Sequence, residues 1–206
     1  MAARFGRAVA GGGLPAGAAE AARALVAQGV TALISFGLCG ALDPALDPGA
    51  LIVPRAVAAG GRAYTTDAAL SVALGGWSAE MLLAGETAVA EPSAKAALFA
   101  ATGAAAIDLE SGAVAEVAHR AGLPFAVLRA VCDPARVGLP PAALAALDRR
   151  GAVSIGAVVA SLFRQPRQIP ELLGLARAAE AARVALVGRV DKILAGASAG
   201  DGGLVF

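Results

Sequence analysis

Ile107-Asp108-Leu109-Glu110-Ser111 and, a helix's length later, Leu128-Arg129-Ala130-Val131-Cys132-Asp133-Pro134 decide how this chain is read. Each stretch is an apolar run that ends in acid. The segment between them, Gly112 to Ala121, has the length of a helix and is closed by Gly122 and Pro124, which are stop signals. The unit therefore reads strand, helix, strand, with carboxylates at the carboxyl ends of both strands. Ligands bind at those ends in open α/β sheets. The same spacing also suits acids that only cap helices and turns.

Outward from this unit the alternation continues. Arg7 to Ala10 is a short strand candidate that runs into Gly11-Gly12-Gly13. Leu14 to Gln28 is an alanine-rich helix with Pro15 in its first turn and Gly29 behind it. Val30 to Phe36 is a continuous apolar run, as in a strand buried on both faces, and ends at Gly37-Leu38-Cys39-Gly40. Leu51 to Val57 and Met81 to Val89 are further strands, and residues 60–80 a long loop with one helical turn. Pro92 to Thr102 is a helix ended by Gly103, and Ala104 to Leu109 a strand. Pro140 to Arg150, Val153 to Phe163 and Glu171 to Val190 read as helices, the last with Leu172, Leu175, Ala179, Ala182, Leu186 and Val190 on one face. The expected organisation is one α/β domain over residues 1–190 and a flexible tail over 191–206.

Composition narrows the function classes. A chain of 206 residues supports one domain with a real core. Lys+Arg 17 against Asp+Glu 16 leaves a formal charge of +1, without the concentrated basic face of a nucleic-acid binder. The hydrophobic content of 58% is largely alanine. No apolar run approaches the ~20 residues of a spanning helix, and Met1 to Arg4 lacks the apolar stretch of a secretory signal. Cys39 and Cys132 stand far apart, with no zinc or CxxC spacing, which suits a reduced cytoplasmic compartment and no metal.

The triple glycine is a candidate phosphate cradle through the Gly12 and Gly13 amides at a helix N-terminus, although glycines at a strand-to-helix turn also serve turn geometry alone. It does not match G-x-G-x-x-G, so an NAD-type oxidoreductase fits poorly. Ser35-Phe36-Gly37-Leu38-Cys39-Gly40-Ala41-Leu42-Asp43-Pro44, then Ile107 to Ser111, then Arg129 to Asp133, resemble the purine nucleoside phosphorylase and methylthioadenosine nucleosidase superfamily. Leu139-Pro140-Pro141 and the link Gln165-Pro166-Arg167-Gln168-Ile169-Pro170 resemble its hopanoid-associated branch.

The resemblance implies a mixed central sheet flanked by helices, here without the family's usual first strand and the water-activating acid that follows it. It also implies cleavage of the N-glycosidic bond of an adenosyl nucleoside with release of adenine. In the branch, that nucleoside carries a pentacyclic lipid on its 5′ carbon (adenosylhopane). Asp133 takes the place of the general acid that protonates the departing base, Glu110 that of the carboxylate on the ribose hydroxyls. Asp108, Leu109, Cys39 and Gly40 complete the implied substrate contacts. A free aspartate, pKa ~3.9, is ionised at neutral pH, so the site must raise that value. Phosphorylases of the superfamily carry arginine and serine as phosphate ligands where this chain has Ser35 and Leu38. Leucine cannot hydrogen-bond phosphate, which leaves phosphate or water as the nucleophile, with phosphate as co-substrate and no other cofactor. Nucleosidases stack adenine on phenylalanine where this chain has Ala88. A non-catalytic nucleoside-binding remnant and a methylthioadenosine/adenosylhomocysteine-type nucleosidase are the alternatives, and a homo-oligomer is expected.

The other chemistry-bearing residues read more plainly. Arg129, inside an apolar strand, needs an anion, and Asp108 or Glu110 is the expected partner. His119 reads as a solvated or structural histidine, and Cys132 lacks a neighbour to lower its pKa. Trp77, Met81, Leu82 and Leu83 suit core packing as well as a lipid slot. Arg149, Arg150, Arg164, Arg167, Arg177, Arg183, Arg189 and Lys192 are a candidate surface for weak peripheral contact with anionic lipid, or simply solubilise their helices.

Overall fold

The computed structural model describes residues 7–139 and 169–199. Their elements, in chain order, are α1 (Pro15–Ala27), β1 (Leu33–Ala41), β2 (Leu51–Ile52), β3 (Pro54–Ala59), β4 (Arg62–Thr65), α2 (Ala68–Ala73), β5 (Ala79–Ala84), α3 (Pro92–Thr102), β6 (Ala106–Asp108), α4 (Ser111–Ala121), β7 (Phe125–Asp133) and α5 (Ile169–Ala199). The expected helices over Pro140–Arg150 and Val153–Phe163 lie outside the described residues.

Among the described residues the strands form one mixed seven-stranded sheet in the order β2-β7-β1-β6-β5-β3-β4. β7 runs parallel to β1 over Leu33–Gly40, whereas β6 runs antiparallel to β1 and meets it only at Gly40 and Ala41. The sheet curls on itself. Asp67, just past the edge strand β4, donates its N–H to the Phe125 carbonyl of β7 at 2.7 Å. The odd residues of β7 (Phe125, Val127, Val131) pack with Ala115 and Ala118 of α4 and Ala22 of α1. The even ones (Ala126, Leu128, Ala130) pack with Ala182 and Leu186 of α5. A strand covered by helices on both faces needs the continuous apolar run that 125–131 supplies.

Several local expectations hold because their signals are backbone chemistry. Pro92 opens α3, and Gly103 ends it in the left-handed conformation. Gly122 ends α4 in the same way. Others are corrected. Residues 7–10 have no place in the sheet; Arg7 instead donates to the Gln28 carbonyl behind α1. β1 does not stop at Phe36 but continues through Gly37-Leu38-Cys39-Gly40 to Ala41. Within 60–80, Gly60 and Gly61, both at positive φ, form a tight hairpin joining β3 to β4, with Ala59 opposite Arg62. A glycine pair between two short runs is a hairpin signal. Finally, α5 extends to Ala199, past the expected helix end at Val190. Its buried face is Ala178, Ala182, Leu186 and Val190, while Leu172, Leu175 and Ala179 of the expected stripe are only partly covered.

The largest correction concerns the opening unit. β6, α4 and β7 do not form a parallel crossover between neighbouring strands. β1 lies between β6 and β7, and the two run in opposite directions. Both converge on Gly40, which faces Ile107 on one side and Asp133 on the other.

Candidate active site

Two glycines in β1 organise the site. A Cβ on Gly37 would lie 2.5 Å from Arg129 Nη1, so the absence of a side chain lets the guanidinium cross the strand there. A Cβ on Gly40 would lie 3.2 Å from Asp133 Oδ2. Glycine inside a strand often marks such a close approach. The register of β7 shifts between Cys39 and Gly40, so that Val131 pairs with Cys39 but Asp133, not Cys132, pairs with Gly40. Cys132 is the extra residue of a bulge, a device that re-aims a side chain at a strand end.

Arg129 is buried at 1% exposure and is the hub of one cluster. Its Nε lies 2.6 Å from Asp108 Oδ2, and its Nη1 3.0 Å from Glu110 Oε2. Its Nη2 donates to Ser35 Oγ at 2.6 Å. The expected pairing is thus made with both acids. Asp108 also accepts from the Ser111 backbone N–H at 3.2 Å and from the Ser111 hydroxyl. It therefore caps α4 as well as neutralising the arginine, which gives this acid the capping role that the spacing allowed. Burial raises the Asp108 carboxyl above its ordinary pKa, and Arg129 and Ser111 pull it back down. Ser35, at 4% exposure, accepts from Arg129, shares a hydroxyl–hydroxyl hydrogen bond of 3.0 Å with Ser111, and is turned into the core.

Glu110 is the member of the cluster that reaches solvent, its side chain 20% exposed. It lines a largely apolar cleft between residues 7–11, α1, α4 and the first half of β1, with Val9, Leu25, Leu33, Phe36 and Val114 among the walls. Gly13, at φ +76, turns its N–H onto Glu110 Oε1 at 3.0 Å. One of the two amides expected to cradle phosphate is therefore given to a carboxylate.

Asp133 does not line that cleft. It ends β7 on the side of α3, where Lys95 Nζ meets its Oδ1 at 2.7 Å. Lys95 is fully buried and spends its remaining donors on the Pro134 and Val137 carbonyls, each at 3.0 Å. Burial raises the Asp133 carboxyl above the usual carboxylate range, opposed by the hydrogen bond and charge of Lys95. Nothing in the acid-ended runs points to Lys95. The signal was that it is the sole charged side chain of α3, in a helix otherwise made of small and apolar residues.

The remaining site residues divide. Cys39 packs into the core at 4% exposure, and burial holds its thiol well above its ordinary pKa. Burial likewise pushes Cys132 up to about 11, so neither is a thiolate at neutral pH. Leu109 is half-buried; Leu38 is 42% exposed, and Ala88 is exposed. His119 is exposed and meets the Tyr64 ring edge-on at 5.8 Å. Leu82 is core, whereas Trp77 is exposed beneath Arg55, 4.1 Å from its ring centre. Of the basic residues on α5, Arg183 is paired with Glu180, and Arg189 donates to the Leu74 carbonyl.

The fold and sequence have known counterparts. The S-adenosylhomocysteine nucleosidase of Streptococcus pyogenes, solved with 5-methylthiotubericidin, superposes with a TM-score of 0.53 at 23% identity, covering 59% of this chain and 63% of that one. This chain thus spans less than two thirds of the streptococcal enzyme's length. A structure described as a putative methylthioadenosine nucleosidase from Weissella paramesenteroides gives 0.58 at 18% identity, covering 88% and 78%. A mutant of the Helicobacter pylori enzyme MTAN, solved with 5′-methylthioadenosine in the active site, gives 0.58 at 16%, covering 86% and 76%. At these identities the likeness speaks for the fold alone. No curated protein sequence matches the chain. A family model described as the phosphorylase superfamily matches residues 7–73 and 80–164, through the glycine-bearing β1, the acids after β6 and the end of β7. The chain belongs to the phosphorylase superfamily.

Proposed function

We propose that this chain cleaves the N-glycosidic bond of an adenosyl nucleoside and releases adenine. The observation that carries the reading is Asp133: a buried carboxyl, aimed across Gly40, whose surroundings raise its pKa toward the range of a general acid. In the reaction, the C1′–N9 bond breaks with its electron pair going to the purine. Asp133 gives its proton to the imidazole nitrogen of the leaving base, and an oxygen nucleophile adds to C1′. The sugar gains oxocarbenium character, as in other glycoside cleavage. Glu110 supplies negative charge beside it and accepts from the ribose hydroxyls. The two acids approach β1 at Gly37 and Gly40, three residues and about 10 Å apart along the strand. β6 pairs with β1 only from Gly40 onward, so the ligand would lie where the two strands diverge.

Water is the better-supported nucleophile. Arg129 is already shared between two carboxylates, and the Gly13 N–H is already given to Glu110. A phosphate dianion placed there would meet acids before free donors. The finer substrate, a nucleoside with an apolar 5′ substituent such as adenosylhopane, rests on the branch resemblance of Leu139–Pro141 and Gln165–Pro170. The apolar walls of the cleft beside Glu110 are compatible with such a substituent. The nucleosidase-type reading, with 5′-methylthioadenosine or S-adenosylhomocysteine as substrate, shares every residue role.

The test is adenine release from adenosine, 5′-methylthioadenosine, S-adenosylhomocysteine and detergent-solubilised adenosylhopane, each with and without millimolar phosphate. Free ribose-type products in both conditions are expected. Exclusive ribose 1-phosphate formation would overturn the argument for water, and no adenine from any substrate would overturn the activity.

A further inference from the structure

Lys95 is a costly residue to bury. A lysine at 0% exposure has lost its hydration, and only complete pairing makes that tolerable. Here all three ammonium donors are used: one on Asp133 Oδ1, one on the Pro134 carbonyl, one on the Val137 carbonyl. The last two acceptors belong to the turn that follows β7, so one cation clamps the carboxyl and the chain just behind it. Asp133 has few other means of holding still. Its side chain is 11% exposed, and it is the last residue of β7, paired with Gly40 just past the bulge at Cys132.

We propose that Lys95 is a positioning residue for Asp133, fixing the orientation and protonation of the carboxyl and binding it to the Pro134–Val137 turn. The inference rests on the proposed role of Asp133 for its catalytic meaning, but the contact itself stands independently. Lys95 from α3 is the titratable group in contact with Asp133, and the Cys39 thiol of β1 and Cys132 on its own strand interact with it electrostatically; Arg129 and its two acids lie farther along β1. Both thiols stay neutral around pH 7; burial raises the proton affinity of Asp133, and Lys95 is the charge that opposes it. Its positive charge favours the carboxylate. Without it, Asp133 holds its proton to higher pH, and a reaction that needs the protonated acid keeps running further up the alkaline limb.

The experiment uses Lys95→Gln, which keeps a donor and loses the charge, and Lys95→Met, which loses both. Carbon-13 carboxyl titration follows Asp133 directly, with Asp133→Asn to assign the signal. The midpoint is expected to rise by roughly one pH unit or more in both variants, the low end for removing an opposite charge in contact. In an adenine-release assay on 5′-methylthioadenosine, the alkaline limb of kcat/KM should move up by the same amount while kcat falls more than KM changes. An unmoved carboxyl midpoint in a folded variant overturns the proposal. A moved midpoint without any adenine release, in wild type or variants, upholds the contact and sinks the activity instead. Should both variants fail to fold, the nitrogen-15 signal of Lys95 Nζ in wild type and in Asp133→Asn reads the same pair. An identical signal in both would overturn it.

Discussion

Replacing Arg129 by methionine isolates the energetics of the cluster. Methionine is unbranched and apolar and fits the channel of the arginine stem, so the change removes charge and donors with little new volume. What remains is Asp108, its side chain 2% exposed, with no cation at 2.6 Å. Breaking a buried pair by removing one partner costs about 3–5 kcal/mol, because the surviving charge is left uncompensated. Glu110, with its side chain 20% exposed, can turn toward water, so most of the loss belongs to Asp108. Against a typical domain stability of about 5–15 kcal/mol this is a large fraction. The pH dependence identifies the cause. In the native protein burial already raises the Asp108 carboxyl, and Arg129 is the strongest influence that lowers it. Without the arginine the folded-state pKa rises further above the unfolded one. A carboxyl raised on folding opposes folding above its folded pKa and stops doing so as the pH falls through that value. The variant's deficit should therefore be larger at neutral than at mildly acidic pH, shrinking before the unfolded-state carboxyls titrate near pH ~4. Urea unfolding of both proteins between mildly acidic and neutral pH measures it, and adding Asp108→Leu should recover most of the loss. A deficit under about 1 kcal/mol at pH 7, the scale of an exposed pair, would refute the reasoning. A deficit independent of pH would refute it equally.

Two further outcomes concern the proposed chemistry. Asp133→Asn should lower adenine release by roughly 10²–10⁴-fold with substrate binding retained, as loss of a general acid does; single-turnover and binding measurements separate the two, and unchanged turnover would remove Asp133 from the mechanism. Glu110→Gln should weaken ribose recognition, so that a 2′-deoxynucleoside loses less rate in the variant than in wild type. Equal losses in both backgrounds would mean that Glu110 does not touch that hydroxyl.

The chain's local chemistry was legible without a structure. Proline at the start and left-handed glycine at the end of α3, the stop at Gly122 and the apolar run of β7 are preferences of single residues and their near neighbours. The need of Arg129 for an anion was equally legible, since a guanidinium in an apolar strand has few alternatives. Strand pairing was not. Whether β6 runs with or against β1 depends on contacts between residues far apart in the chain, Gly40 with Ile107 and Ala41 with Ala106, and no periodicity within β6 reports its direction. Gly37 and Gly40 show the limit most plainly. The apolar run ends at Phe36 and glycine weakens a strand, whereas β1 continues, with the side chains of Arg129 and Asp133 occupying the space over those two glycines. The bulge at Cys132, which brings Asp133 rather than the cysteine to Gly40, exists only in the register between two strands. Lys95 follows the same rule. Its charge is visible in the sequence, but its partner is reached only when α3 packs through Leu98 and Phe99 on Leu42 and Ile107, because burial and pairing are properties of the packed molecule.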